Sequence, residues 1–181
     1  MTTVLWLLAV QGAIGAFDTL WFHEWRAHLP GGGEVARPEL ALHAVRAALY
    51  AVLFGTLPWV AWHGALAIVL ALLLLAEIVV TLTDFAIEDR VRRTIGGVFV
   101  GERVTHAVMG IVYGAMLANL VPLVVRWSAE RTGFARLDGP PMALRILLTS
   151  MAIGVGMSAA RDGLAAWGSG TRVRWPWQSW T

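Results

Sequence analysis

The chain has 181 residues, 57% of them hydrophobic and only 14% charged, with a net charge of +2 and a mean hydropathy of +0.65. A soluble domain carries about 25% charged residues, so this composition excludes one. All fourteen basic residues are Arg, dispersed or beside apolar segments, which excludes a nucleic-acid-binding face; the absence of cysteine excludes disulfides, thiolate ligands and thiol nucleophiles.

Five segments are apolar for the roughly 20 residues that a helix needs to cross a hydrocarbon core. In chain order they are about 4–25, 39–60, 62–86, 102–126 and 142–165. The first lacks a basic leader and a small-residue cleavage site and carries Asp18, His23 and Glu24 near its end, so it reads as a mature helix. Leu29-Pro30-Gly31-Gly32-Gly33 ends it, and Pro38 with Glu39 suits the first turn of the second. Leu57-Pro58-Trp59 closes the second span, the polar stretch from Glu88 to Arg93 the third, and Arg126 to Pro141 forms the longest loop. Gly110 and Gly114 give the fourth span a small-xxx-small packing signal, and Ala152, Gly154, Gly156, Ala159 and Ala160 make the fifth a smooth surface. Residues 166–181, with Trp175, Trp177 and Trp180, read as an interfacial tail. The expectation is one all-α membrane domain over residues 1–181, with helices one to four forming a four-helix core and helix five outside it.

Five crossings place the loops at 27–38 and 87–101 and the C-terminus on one side, with ten of the fourteen Arg residues. The positive-inside rule makes that side cytoplasmic and puts the N-terminus outside a bacterial-type inner membrane. Trp6, Trp59, Trp62 and Trp127 mark one interface, and Trp21, Trp25 and Trp167 the other.

Three motifs place a carboxylate and an imidazole one helical turn apart: Glu24/His28, Glu39/His43 and Glu102/His106. At roughly 100° per residue, positions i and i+4 share a helix face. Glu77, Thr81, Asp84 and Glu88 form a polar stripe on the otherwise lipid-like third span. All of these face the cytoplasmic end, where four helices start or finish, whereas His63 stands alone at the other interface. Ionisable groups in spans are costly and mark function.

Clustered carboxylates repel one another, and a divalent cation relieves that repulsion. Mixed oxygen and nitrogen ligands suit iron, manganese or zinc. The inventory is similar to that of ferritin-like di-metal bundles, although the spacing here is Glu-x-x-x-His rather than Glu-x-x-His. Glu24, His28, Glu39, His43, Asp84, Glu88, Glu102 and His106 are the candidate ligands, in number enough for two ions. Glu77 and Asp18 are candidate proton-relay groups, and Tyr113 a candidate redox or hydrogen-bonding residue. The expected activity is metal-dependent oxidation or hydroxylation of a lipid-soluble molecule such as a quinone, acyl chain or isoprenoid. Proton or metal transport, haem-based electron transfer, and a non-catalytic subunit that assembles with a membrane partner or with itself are the alternatives. The bland reading of the deeper carboxylates Asp18, Glu77 and Asp84 is ion pairing with Arg26 or Arg46.

Overall fold

Each of the five apolar segments forms a helix in the computed structural model, which describes residues 1–94 and 96–167. They are α1 (Thr2–Asp18), continued by a π-helical stretch (Thr19–Arg26), α2 (Gly33–Thr56), α3 (Ala65–Val91), α4 (Val100–Ser128) and α5 (Met142–Ala166). All five are long and apolar enough to cross a membrane. On α3 the reason is plain in the sequence. Ile68, Leu72, Leu75, Val79 and Leu82 recur at helical spacing and are exposed, while Leu70, Leu74, Glu77, Asp84 and Glu88 share the opposite, buried face. The Trp-rich tail expected to lie on the membrane falls outside the described residues from residue 168 onward.

Two boundaries differ from the sequence reading. α2 begins at Gly33, so Pro38 lies inside the helix rather than in its first turn. The helix forfeits only the bond that the Pro38 nitrogen would give the Glu34 carbonyl, near an end where Glu34 and Val35 are exposed. At its other end α2 stops at Thr56, and the chain is not wholly helical beyond it. Val60–His63 (β1) pairs antiparallel with Gly133–Arg136 (β2), tying the α2–α3 turn to the α4–α5 loop. Gly64, with φ +60°, makes the turn into α3 and sits so close to Thr132 that no side chain fits there.

The helices form a ring in the order α1, α4, α3, α2, α5, with α5 closing back on α1. α5 is therefore part of the bundle and not outside a four-helix core. Its partnership with α2 is the most extensive in the molecule, because small residues face each other along the seam. A Cβ on Gly55 would touch Ala152, one on Gly156 would touch Ala51, and one on Gly163 would touch Ala44, all at 3.7–3.9 Å. In lipid, where apolar side chains gain nothing by leaving the solvent, such close backbone approach drives helix association. Gly110 and Gly114, by contrast, face outward on α4 and meet no neighbouring helix within 4 Å.

The apolar core fills one end of the ring, with Leu5 and Leu8 of α1, Leu53 of α2, Leu70 of α3, Met116 and Leu120 of α4 and Leu148 of α5 all fully buried. The buried charged residues collect at the other end, except Arg145 at the start of α5, which donates to the Pro140 carbonyl.

Candidate metal centre

At that polar end α1 finishes, α2 begins, α3 finishes and α4 begins. Helical spacing then does the local work. Glu39 and His43 on α2, Asp84 and Glu88 on α3, and Glu102 and His106 on α4 are each four residues apart, and all six are buried. α1 contributes Asp18 and His23 by a different route. In an α-helix, residues five apart point roughly 140° away from each other. The π-helical stretch from Thr19 to Arg26 replaces i→i+4 with i→i+5 bonding and brings Asp18 and His23 onto one face.

His23 lies at the centre. Its Nε2 is 2.9 Å from Glu102 Oε1 and 3.3 Å from Asp18 Oδ2, and its ring stacks on that of His43 with centroids 4.6 Å apart. His106 places Nε2 3.1 Å from Asp18 Oδ2 and Nδ1 3.6 Å from Glu88 Oε2. His43 Nε2 is 3.2 Å from Asp84 Oδ2 and 3.8 Å from Glu39 Oε1. Two ligand triads result, Asp18/His23/His106 and His23/Glu39/His43, each with its donor atoms within 4.8 Å of one another. They share His23. Glu88 and Glu102 flank the first triad, and Asp84 flanks the second.

Arg92, in the 3-10 turn after α3, is wholly buried between two helix starts. Its Nε donates to Glu39 Oε1 at 2.7 Å and its Nη1 to Glu102 Oε1 at 2.6 Å. Burial alone would lower the pKa of this guanidinium, but the hydrogen bonds and charges of Glu39 and Glu102 outweigh it and raise the pKa. Arg92 thus stays charged and fixes both carboxylates by one oxygen each. Arg46 pairs with Asp84 at 3.3 Å. Five carboxylates (Asp18, Glu39, Asp84, Glu88 and Glu102) face these two guanidiniums, so the cluster holds more acidic than cationic groups.

Several polar atoms in this cluster have no hydrogen-bond partner. Buried polar groups are nearly always satisfied, since leaving one unpaired costs about 1–3 kcal/mol. Eight buried side-chain atoms among the described residues lack a partner, and six of them belong here: Asp18 Oδ1, His23 Nε2, Glu39 Oε2, His43 Nε2, Asp84 Oδ1 and His106 Nδ1. His23 Nε2, His43 Nε2 and His106 Nδ1 lie 2.9, 3.2 and 3.6 Å from oxygens of Glu102, Asp84 and Glu88, without a well-formed hydrogen bond. All six are acceptors or potential lone-pair donors, so the set fits a cation.

The structure does not bring all the sequence-derived candidates together. His28 stands apart: it is exposed, in left-handed backbone (φ 47°), and caps the 3-10 turn at Leu29. The helix ends at Arg26, before His28. Glu24 is buried, but its carboxylate pairs with Arg161, which also holds Asp162, on the α1–α5 side. Asp18 is inside the cluster rather than behind it. Glu77 sits deeper along α3, accepting from Tyr50 at 3.1 Å and Thr81 at 2.9 Å. Tyr113 donates to the Leu74 carbonyl at 3.2 Å, and its ring meets that of Tyr50 at 6.4 Å. His63 lies in β1 beside Trp127, at the opposite end of the spans. Sequence reasoning missed His23 and Arg92. No i±4 carboxylate accompanies His23, and the only hint was its position five residues after a buried-depth Asp. Arg92 was hidden in the basic run Arg90, Arg92 and Arg93. No family model, curated protein or solved structure matches the chain.

Proposed function

We propose that the protein is a membrane-embedded, metal-dependent oxidoreductase or hydroxylase that acts on a lipid-soluble substrate at the cytoplasmic face of a bacterial-type inner membrane. The observation that carries this reading is the cluster of six unpartnered carboxylate oxygens and imidazole nitrogens among residues with a surplus of acidic over cationic groups. Two divalent cations would satisfy those atoms and offset that surplus; neutral His23, with one lone-pair nitrogen, would ligate one of them, and the flanking Glu88, Glu102 and Asp84 would supply further donors. The N/O donor set without sulfur favours iron, with manganese or zinc as the alternatives. Such ions supply Lewis-acid or redox chemistry when bound. The chain's own residues do the rest. Arg92 orients Glu39 and Glu102, Arg46 orients Asp84, and Phe85 stacks on His106 at 4.8 Å, which fixes the ring plane. The cytoplasmic placement rests on the Arg asymmetry in the sequence.

Elemental analysis of protein purified without chelator tests the reading, with about two transition-metal ions per chain expected. Metal-free protein of full thermal stability would overturn it in favour of a buried ion-pair network in a structural or assembly subunit.

A further inference from the structure

Beside the polar cluster lies a cavity of about 360 Å³, walled by α1, α2 and α5 with Met109 of α4. That volume lies in the range of small-molecule sites. Its floor is buried and includes Gln11, Tyr50 and Phe54, and one end reaches Asp18 and His43. Its exposed lining residues are Ala16 and Leu20 on α1 and Gly154 on α5, so the mouth opens sideways through the α1–α5 seam. This seam is the sparsest contact between neighbouring helices of the ring. The mouth lies along the length of the spans, so what enters comes from the lipid phase.

The hydrogen bonds on the floor specify the polar chemistry of the occupant. Tyr50 has one hydroxyl proton and donates it to Glu77 Oε1 at 3.1 Å. It must therefore accept from Gln11, whose Nε2 is 3.1 Å away. That orientation commits the Gln11 amide nitrogen to Tyr50 and leaves Oε1, on a side chain that lines the cavity, buried and without a partner. The cations of the cavity are engaged: Arg46 with Asp84, and Arg161 with Glu24 and Asp162. A carboxylate or phosphate headgroup would find no uncommitted positive charge there, whereas a neutral hydrogen-bond donor finds an acceptor.

We propose that the cavity takes up, sideways from the bilayer, a long-chain amphiphile with an uncharged hydrogen-bond-donating group such as an alcohol, held by Gln11 Oε1 and reaching the polar cluster with its other part. Gln11 and Asp18 are seven residues apart on α1, about 10 Å along the helix. A ligand anchored at Gln11 thus presents to Asp18 and His43 an atom about that far from its donor group. Binding stands on the cavity alone; only the idea that the ligand is transformed there rests on the metal reading.

The test uses the full chain in lipid nanodiscs with a diazirine-bearing hexadecanol as the photoaffinity probe, its methyl ether as the control, and peptide mapping of the label. The alcohol is expected to label α1, α2 and α5 around the cavity about two- to twelve-fold more than the ether, the worth of one neutral hydrogen bond. Gln11→Met should abolish that preference. Gly154→Leu should suppress labelling by both probes, because Gly154 lines the mouth and an added Cβ there meets nothing within 4 Å, which gives a Leu side chain room to narrow it. Gly15→Leu fills it from the opposite wall, where the nearest atom to an added Cβ is Met109 Cε at 3.6 Å, and serves if the first variant fails to fold. Undiminished labelling in a folded filling variant, a preference that survives Gln11→Met, or label concentrated on outward-facing Ile68 and Leu72 would overturn the proposal. Metal content measured on the same samples separates the two readings. Cavity labelling of metal-free protein would count against the metal reading alone, and metal-loaded protein without cavity labelling against this one alone.

Discussion

His23 is the residue on which the centre depends, because it belongs to both triads. His23→Ala is expected to cost the protein at least one of its bound ions, whereas His28→Ala and His63→Ala should leave metal content at the wild-type value. Metal analysis of the three variants checks this, and equal metal in all of them would reject the site as drawn. The sequence hid His23 behind its lack of an i±4 carboxylate and offered His28, which has one, in its place. Arg92 carries the next prediction. Removing it as Arg92→Met leaves Glu39 and Glu102 buried without their cation, and breaking such a pair costs roughly 3–5 kcal/mol. Thermal unfolding in detergent should show the loss. Arg92→Lys should recover only part of it, because a single ammonium cannot bond two separated carboxylates as the guanidinium fork does. A wild-type Tm in Arg92→Met would mean that the two carboxylates are neutralised by something else.

The element that decides the site is the π-helical end of α1. Regular α-helix from Thr2 to Arg26 would turn His23 away from Asp18, and Leu20, exposed between the two, gives a way to restore a regular helix. Deleting Leu20 removes the extra residue that the wider turn accommodates. The expected result is unchanged helix content by circular dichroism and retained metal, since the deletion leaves Asp18 and His23 four residues apart, on one face of a regular helix. Loss of bound metal in a folded variant would show that a shared face for Asp18 and His23 is not what the π-turn provides. α2, α3 and α4 needed no such device. Their Glu39/His43, Asp84/Glu88 and Glu102/His106 pairs obey ordinary helical periodicity, which is why they were legible in the sequence. α5 was legible as a span but not as a ring member, because its Gly and Ala residues show that something packs closely without naming α2 as the partner.

At the scale of the whole molecule, Arg asymmetry and the tryptophan belts predict a periplasmic N-terminus and a cytoplasmic C-terminus. Reporter fusions after Thr181 and within residues 129–141 should report opposite compartments, and a shared compartment would sink the five-crossing arrangement. The sequence by itself determined that there are five membrane-length helices, since span length and apolarity are properties of contiguous residues. It also determined that most of the acidic groups gather at one end, because alternating helix direction places residues 18–28, 39–46, 84–93 and 102–106 at a common depth. Only the tertiary structure decided which of those groups meet. The ring order α1, α4, α3, α2, α5 depends on contacts between distant segments, which periodicity within one helix does not encode. The same contacts gave Glu24 to Arg161, set Arg92 between Glu39 and Glu102, and opened a cavity between α1 and α5. Depth follows from counting along the chain. Azimuth around the bundle follows from packing, and the local widening at Thr19–Arg26 changes it where regular helical periodicity points elsewhere.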